Sequence, residues 1–219
     1  MQEDIILFVI SGSAGSGKTS MIKNVINLYG TDLISNFPSS TTRPMRAGEV
    51  NGVDYIFVNK DEFNQAIKTH EIVEAKRVYQ NFYGTNIKSI LATAEHSKCL
   101  IKDFDVEGYK NVVKRIKYSL IKDNLPLFPI VTILVDAQDE VLVERMLKRN
   151  DNTNVEERKQ ALSQDRISKN SNHYDYIIDT TNLSIDEATS SLVSIINTEY
   201  LKNFGKPVLV KRDLEQEKL

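Results

Sequence analysis

The sequence predicts a layered α/β fold built around a parallel sheet. The first observation is the run IILFVI at residues 5–10, which contains no polar residue and is typical of a strand buried on both faces. Similar apolar runs recur at 99–105, 129–135 and 174–179, and amphipathic segments separate them. Strands that alternate with helices over most of a chain favour right-handed crossover connections within one sheet.

Amphipathic patterns predict the helices that follow these strands. The helical segments are 17–29, 106–121, 138–149 and 184–203. A helix start is indicated where a capping side chain stands three positions before an acid. This pattern occurs at Asn59 with Glu62, at Asn154 with Glu157, and at Ser184 with Glu187. A short strand near 32–35 completes the predicted core.

The chain between this second strand and residue 99 has a different pattern. The stretches VDYIFV, IVEAKRVY and NFYG are short and rich in β-branched and aromatic residues, which indicates antiparallel strands. One helix is predicted at 60–69, and Asn51 with Gly52 supplies a turn. We therefore expect an inserted segment with a small sheet of its own.

Charge and cysteine content exclude several classes of protein. The chain has 28 basic and 30 acidic residues and a formal net charge of −2, so no overall basic field draws it to nucleic acid or to an anionic membrane. The single cysteine, Cys99, excludes an internal disulfide and suits a reducing compartment. The apolar run at 5–10 is too short for a signal peptide or a membrane span. We therefore predict a cytoplasmic protein.

The strongest motif is GSAGSGKT at residues 12–19, which fits the pattern G-x-x-x-x-G-K-[ST] between a strand and a helix. Glycines let successive backbone N–H groups point at phosphate oxygens, and the following helix presents its positive end. Lys18 adds a charge and the Thr19 hydroxyl can bind Mg²⁺. The predicted cradle for a nucleoside triphosphate consists of Gly12, Ser13, Ala14, Gly15, Ser16, Gly17, Lys18, Thr19 and Ser20.

A second anion site is indicated by the stretch SSTTRPMRAGEVNGVDY at residues 39–55. Arg43 and Arg46 can form a charged fork for a phosphate, because guanidinium geometry suits that group. Tyr55 and Tyr83 offer phenolic donors to the same anion. A second phosphate site beside a triphosphate site implies phosphoryl transfer between them, whereas a solvated basic loop is the ordinary alternative.

At this point the chain resembles the guanylate kinase family. The stretches SSTTRPMRAGEVNGVDYIFV, EIVEAKRVYQNFYGT and DFDVEG follow the phosphate loop in the order and with the spacing of that family, over roughly residues 5–200. The resemblance implies a three-layer P-loop fold of the nucleoside monophosphate kinase type, with ATP as donor, Mg²⁺ as cofactor and GMP as acceptor. It also implies one domain over 1–203, divided into a core (1–37, 87–148 and 159–203), a GMP-binding insertion (38–86) and a helical lid (149–158). The tail, 204–219, is expected to be flexible or loosely docked.

The same resemblance assigns roles to individual residues. The GMP pocket is expected to contain Ser39, Arg43, Arg46, Glu49, Tyr55, Glu74, Tyr83, Thr85, Asp103 and Asp105. Arg145, Arg149 and Arg158 are expected to close over the ATP phosphates, with Arg166 as the competitor of Arg158 for the distal lid position. Asp103, at the end of a buried strand, is expected to hold Mg²⁺ together with Thr19, and Asp105 can share that task. Lys18, Arg43, Arg46, Arg149 and Arg158 are the expected catalytic residues.

Chemistry supports the assignment of Glu74. Guanine presents N1–H and an amine on one edge, so one carboxylate can accept both hydrogen bonds, whereas adenine presents an acceptor at N1.

Two other functions stay open: a non-catalytic guanylate-kinase-like binding module, and a P-loop kinase for another small phosphorylated acceptor. The intact Lys18 and Thr19 argue against the first, and Glu74 argues against the second.

Lys102 and the stretch at 179–182 are among the positions that depart from the family pattern. Lys102 stands in a buried strand where an apolar residue is usual, and its ammonium needs a partner or the sheet edge to offset the cost of burial. The stretch DTTN at 179–182 differs from the usual sequence, which leaves open how the adenine base is held.

Overall fold

The structure is a computed structural model, and its central feature is a five-stranded parallel sheet. The described residues are 4–106, 109–148, 162–163, 165–166 and 173–210. The strands of this central sheet are β1 (Ile6–Ser11), β2 (Ile34–Ser35), β7 (Cys99–Phe104), β8 (Ile130–Asp136) and β9 (Tyr176–Asp179). Their order is β2-β7-β1-β8-β9, and every neighbouring pair is parallel. The predicted fold class is therefore confirmed.

Strand β1 shows why the sequence predicted burial on both faces. All six of its residues are buried. Ile6, Phe8 and Ile10 point into one apolar cluster, while Leu7 and Val9 point into the other. A strand with helices on both faces has no solvent-facing side, so its sequence is apolar throughout instead of alternating.

Helices form the two outer layers of the sandwich. The described part of the chain contains α1 (Lys18–Tyr29), α2 (Lys60–Lys68), α3 (Ile87–Ala94), α4 (Tyr109–Lys122), α5 (Asp139–Lys148) and α6 (Ile185–Phe204). Helices α1 and α6 pack on one face of the central sheet, and α3 and α4 pack on the other. Among these described helices, none has both the length and the apolar character that a bilayer crossing requires.

Two of the three predicted helix caps are present. The Asn59 side chain accepts a hydrogen bond from the Glu62 backbone N–H at 2.8 Å, and the Glu62 carboxylate accepts one from the Asn59 N–H at 2.7 Å. Ser184 and Glu187 form the same reciprocal capping box at the start of α6. The third predicted cap, at Asn154, lies outside the described residues.

A second, small sheet is formed by β3 (Ser39–Thr41), β4 (Tyr55–Phe57), β5 (Ile72–Val78) and β6 (Asn81–Asn86), in the order β4-β3-β6-β5. The β5–β6 pair is antiparallel, as predicted. The β3–β6 pair is also antiparallel, although β3 was not predicted as a strand. The β3–β4 pair is parallel, so the antiparallel expectation was wrong for this strand. Residues 42–54 run back along β3 before β4 begins, and a parallel pair requires a connection of about this length, a dozen residues or more.

Lys102 finds the partner that its position requires. Its ammonium donates a hydrogen bond to the Phe37 carbonyl oxygen at 2.9 Å and lies 5.4 Å from the centroid of the Phe37 ring. Burial lowers the pKa of Lys102, while the negative charges of Asp103 and Glu74 oppose that shift. The charge is therefore tolerated beside the first residues of the small sheet.

The chain beyond α6 packs against the core up to residue 209. Val208 and Leu209 are buried, and the Asn197 carboxamide oxygen accepts hydrogen bonds from their backbone N–H groups at 3.0 and 2.7 Å. The Asn197 amide donates in return to the Leu209 carbonyl oxygen at 2.9 Å. This part of the predicted tail is held in place, and residues 211–219 lie outside the described ranges.

Candidate active site

The phosphate loop connects β1 to α1 and requires glycine at two positions. Gly12 and Gly15 have φ values of 153° and 83°. A Cβ atom at Gly12 would lie 2.0 Å from the Val135 carbonyl oxygen, and one at Gly15 would lie 2.7 Å from the Leu142 carbonyl oxygen. The loop backbone is thus pressed against β8 and α5, a closeness that any side chain at these positions would prevent.

Lys18 is folded over this loop. Its ammonium donates hydrogen bonds to the carbonyl oxygens of Gly12 at 2.6 Å and Ser13 at 2.9 Å. The buried Ser13 hydroxyl has no hydrogen-bond partner among the residues that the structure describes. An ammonium, the positive end of α1 and a glycine-rich backbone together form a site suited to a polyphosphate.

Thr19 and Asp103 meet as the sequence predicted. The Thr19 hydroxyl donates to the Asp103 carboxylate at 3.2 Å. Ile10 of β1 pairs with Asp103 of the parallel neighbour β7. The Asp103 side chain therefore lies at the edge of the sheet where the chain leaves β1 for the phosphate loop and Thr19. A hydroxyl and a carboxylate are hard oxygen ligands, and Mg²⁺ is usually held by one or two such groups together with phosphate oxygens and water. The pair fits the predicted Mg²⁺ site.

Arg43 is fixed from several sides. Its guanidinium forms two hydrogen bonds with the Glu49 carboxylate, at 2.6 and 3.0 Å. Its Cζ atom lies 5.4 Å from the centroid of the Tyr55 ring and 5.5 Å from that of Phe57. Hydrogen bonding to Glu49 raises the pKa of Arg43 above its ordinary value, and Tyr83 adds a further hydrogen bond. Arg43 is thus a charged group that is held in one orientation.

Arg46 is placed differently from Arg43. Its backbone N–H donates to the Glu49 carboxylate at 2.7 Å, and its side chain is exposed at the rim of the site. Hydrogen bonds from Arg43 and from the Arg46 backbone hold the pKa of Glu49 below the ordinary value. Glu49 was predicted as a pocket residue, and in the structure it organises the loop that carries both arginines.

One face of the small sheet carries the predicted base-reading residues. Glu74 pairs with Thr85 across β5 and β6, and Ser39 pairs with Tyr55 across β3 and β4. Directly opposed residues in a sheet share a face. Burial raises the pKa of Glu74, the nearby Asp105 raises it further, and a hydrogen bond from Thr85 opposes the shift. The site therefore holds a partly desolvated carboxylate beside a hydroxyl.

Asp105 lies just beyond β7 and forms an ion pair with Lys76 of β5. Its carboxylate is 2.5 Å from the Lys76 ammonium, and both side chains are substantially exposed. Asp105 was predicted as an additional acceptor beside Glu74, and it is close enough to affect the pKa of that residue. The ion pair brings the end of the central sheet to the edge of the small sheet.

A cavity of about 290 Å³ adjoins the phosphate loop on the side of α6. Arg145 lines it and donates to Thr180 through two hydrogen bonds, to Oγ1 at 2.9 Å and to the carbonyl oxygen at 2.7 Å. The Thr180 hydroxyl also donates to the Ser16 carbonyl oxygen at 3.1 Å. The unusual stretch at 179–182 therefore joins Arg145 to the phosphate loop, and Leu183 and Ile185 add an apolar wall.

The predicted lid lies outside the described residues. This applies to the range 149–158 and therefore to Arg149 and Arg158. Arg166 is described, and its guanidinium lies 2.9 Å from Asp139 and 3.8 Å from Asp136. The hydrogen bonds to Asp139 raise the pKa of Arg166. Arg166 thus stands at the carboxyl end of β8, on the side of the sheet that carries the phosphate loop.

Three residues of this region were not predicted: Phe57, Lys76 and Thr180. Phe57 contacts Arg43, Lys76 contacts Asp105, and Thr180 contacts Arg145. The period of two in a strand could have found the first two, because Phe57 follows Tyr55 and Lys76 follows Glu74 on the same face. Thr180 carried no comparable signal, since its contacts join three distant segments.

Several proteins similar to this chain are described as guanylate kinases. The family model described as guanylate kinase matches residues 5–199. Guanylate kinase from Wolbachia pipientis is 30% identical over 205 residues, which cover 93% of this chain and 96% of the relative. Guanylate kinase from Campylobacter jejuni is 32% identical over 172 residues, which cover 78% of this chain and 79% of the relative. The crystal structure of guanylate kinase from Anaplasma phagocytophilum has a TM-score of 0.60 at 21% identity, covers 95% of this chain and 92% of that chain, and supports the fold alone.

Proposed function

Because the chain belongs to the guanylate kinase family, we propose that it transfers the γ-phosphoryl group of ATP to GMP and forms ADP and GDP. The observation that carries this proposal is the presence of two anion sites of different construction. One is the phosphate loop with Lys18, and the other is the Arg43 site on the small sheet. Two phosphate sites in one molecule suit a reaction in which a phosphoryl group moves between two nucleotides.

Arg43 binds the acceptor phosphate in this proposal. Glu49 fixes the guanidinium, and Tyr55 and Tyr83 lie against it. The bidentate geometry of guanidinium suits a phosphate, so one ordered arginine can hold two phosphate oxygens. Arg46 is exposed at the rim and adds a second positive charge when the loop meets the anion.

Glu74 reads the acceptor base. Its carboxylate accepts hydrogen bonds from the N1–H and the 2-amino group of guanine, while Thr85 and Ser39 supply hydroxyls on the same face. Adenine presents a lone pair at N1, which would face the carboxylate without a hydrogen. A site of paired donors and acceptors rejects the wrong base by roughly 10⁴ to 10⁵ when its buried polar groups are left unmatched.

The donor side consists of the phosphate loop, the adjoining cavity and a magnesium site. The triphosphate lies in the glycine-rich loop under Lys18, and the adenine occupies the cavity lined by Arg145. Thr19 and Asp103 hold Mg²⁺, which when bound neutralises charge on the phosphate oxygens. Arg149, and either Arg158 or Arg166, bind the ATP phosphates in this proposal.

This chemistry needs positioning and charge neutralisation instead of a strong base. The second pKa of a phosphate monoester is about 6, so the attacking oxygen of GMP is already ionised at neutral pH. Arg43 holds that oxygen in line, and Lys18 stabilises the negative charge that spreads over the transferred group. The histidines therefore have no required role in the transfer.

We also propose a cytoplasmic location, and the state of Cys99 is consistent with it. It is the single cysteine of the chain and is fully buried in β7. Burial raises the pKa of its thiol well above the ordinary value, which makes a nucleophilic thiolate unfavourable. The residue therefore acts as a small apolar side chain in the core of the central sheet.

A coupled assay tests the proposed function. Purified protein with ATP, Mg²⁺ and GMP is expected to form ADP and GDP in equal amounts, with parallel reactions on AMP, UMP, dTMP and dGMP as specificity controls. Lys18→Met is expected to reduce kcat at least about 10²-fold, because it removes the charge at the transferring group. The proposal fails if the wild-type protein forms no GMP-dependent ADP.

A further inference from the structure

Lys76 joins the two sheets at the base-reading end of the acceptor site. It lies on β5 of the small sheet, and its ammonium is 2.5 Å from the carboxylate of Asp105. Asp105 follows β7 of the central sheet directly. The predicted pocket includes Asp105, whereas no part of the proposed function above uses Lys76.

Lys76 also lies on the face that reads the base. It is two positions beyond Glu74 on β5, so both side chains point to the same side of the strand. Across the sheet it pairs with Tyr83, while Glu74 pairs with Thr85. Lys76 therefore stands in the same row of side chains as Glu74, on a face of the small sheet where its own side chain is 58% exposed.

We propose that Lys76 is a positioning residue for base recognition: its ion pair with Asp105 holds that carboxylate beside Glu74, so that two carboxylates together read the edge of a purine with an N1–H and a 2-amino group. This inference rests on the proposed function. A carboxylate has about four lone-pair sites, so an Asp105 side chain that accepts from Lys76 can still accept from a base amine. The ligand class is a 2-amino-6-oxopurine monophosphate.

The charges around Glu74 explain why a lysine is needed. Asp105 raises the pKa of Glu74 through like-charge repulsion, and Lys76 opposes that effect. Within the part of the chain that the structure describes, the other cations that interact with Glu74 are Arg115 of α4 and Lys102 of β7. Arg115 also donates to the Val73 carbonyl oxygen at 3.4 Å, and Lys102 to that of Phe37, so both are tied to the backbone. Lys76 is the cation of this group that contacts the second carboxylate.

Two purine nucleotides distinguish the role of Glu74 from that of Asp105. GMP and IMP share N1–H and O6, but only GMP carries the 2-amino group. When IMP replaces GMP, a site in which only Glu74 reads the base loses one hydrogen bond. A site in which Asp105 also accepts a hydrogen bond from the 2-amino group loses more than one. Removal of the Lys76 charge is therefore expected to weaken GMP binding more than IMP binding.

The test is Lys76→Met, with kcat and KM measured for GMP and IMP between about pH 5.5 and pH 8. We expect the KM for GMP to rise about fivefold with little change in kcat, since an exposed ion pair contributes up to about 1 kcal/mol. The ratio of kcat/KM for GMP to that for IMP is expected to fall. The rise in KM is expected to grow at low pH, because loss of Lys76 raises the pKa of Glu74 further.

Matched variants show whether the effect belongs to Lys76. Arg77→Met removes the neighbouring exposed cation, whose Nε donates to the Tyr79 carbonyl oxygen at 3.0 Å, and is expected to leave all parameters unchanged. Lys76→Arg is expected to restore the wild-type GMP to IMP ratio.

Each contrary outcome has a separate meaning. A Lys76→Met protein with a lower unfolding temperature but an unchanged GMP to IMP ratio and pH profile would show a merely structural ion pair and overturn the inference. A lower KM for GMP would also overturn it, since Lys76 would then compete with the base. An inactive wild-type protein would instead overturn the proposed function itself.

Discussion

Arg43 and Glu49 form a two-pronged ion pair, with Nη2 to Oε1 at 2.6 Å and Nη1 to Oε2 at 3.0 Å. The same carboxylate accepts the backbone N–H of Arg46 at 2.7 Å, so one acidic side chain organises the whole turn. The side chains of Arg43 and Glu49 are only 11% and 19% exposed. In the proposed reaction, the acceptor phosphate therefore meets an arginine that is already ordered, which reduces the entropy lost on binding.

Glu49→Gln is expected to raise the KM for GMP about tenfold, because hydrogen bonds to a charged partner are roughly twice as strong as neutral ones. The neutral amide cannot hold both guanidinium nitrogens, so Arg43 loses its fixed orientation. Steady-state kinetics with GMP as the varied substrate check this. Asp4→Asn breaks an ion pair with Lys206 elsewhere on the surface and is the matched control. Equal KM values for Glu49→Gln and wild type would contradict the role of Glu49.

The sequence predicted the central sheet well because burial leaves a direct pattern. Strand β1 is apolar throughout since both faces are covered. The pairing of Asp103 with Thr19 was predicted from the resemblance to the guanylate kinase family and from the position of Asp103 at the end of a buried strand. The residue pattern of β4 predicted a strand but did not indicate whether it pairs parallel or antiparallel with its neighbour. Parallel pairing of β4 with β3 depends on the path of residues 42–54, which no periodicity encodes.

The candidate site was predictable by residue type but not by contact. Arg43 and Glu49 were both assigned to the acceptor pocket, yet their mutual pairing depends on how the turn between them folds. The Lys76–Asp105 ion pair joins residues 29 positions apart, from different sheets, and exposed charges have no pattern that selects their partners. Contacts of this kind appear only when the tertiary structure is known.

Glu74→Gln is expected to stabilise the protein at neutral pH. Burial raises the pKa of Glu74 in the folded state, so the folded protein binds more protons than the unfolded chain above the ordinary glutamate pKa. Stability is therefore lost as the pH rises through the interval between the unfolded and folded pKa values. The variant should gain about 1 kcal/mol at about pH 7.5 and much less at about pH 4, measured by denaturant unfolding. An equal difference at both pH values would contradict this account.

Lys102→Met is expected to be at least as stable as the wild type at pH 7, with a gain of up to about 1 kcal/mol. Burial lowers the folded-state pKa of Lys102, so the cost of its charge is fully present at low pH. As the pH rises through that lowered pKa towards the unfolded value, the folded protein releases the proton first and regains stability. The advantage of the variant should therefore shrink at about pH 10, as measured by thermal unfolding.

Lys23→Met is the matched control for Lys102, because Lys23 is exposed on α1. It is expected to change the unfolding temperature little and equally at both pH values. A Lys102→Met protein that loses stability at pH 7 would show that the bond to the Phe37 carbonyl oxygen outweighs the cost of burying the ammonium.

Glu74→Ala is expected to abolish most of the discrimination between GMP and AMP. The wild-type site leaves the Glu74 carboxylate facing the N1 lone pair of adenine, and that mismatch is absent once the carboxylate is removed. The ratio of kcat/KM for GMP to that for AMP should fall at least about 10²-fold, mostly through a loss on GMP. Glu71→Ala removes a carboxylate that pairs with Lys88 just before β5, and it should leave the ratio unchanged. A Glu74→Ala ratio equal to that of the wild type would mean that the base is read elsewhere on the small sheet, and the assignment of this face to guanine would have to be abandoned.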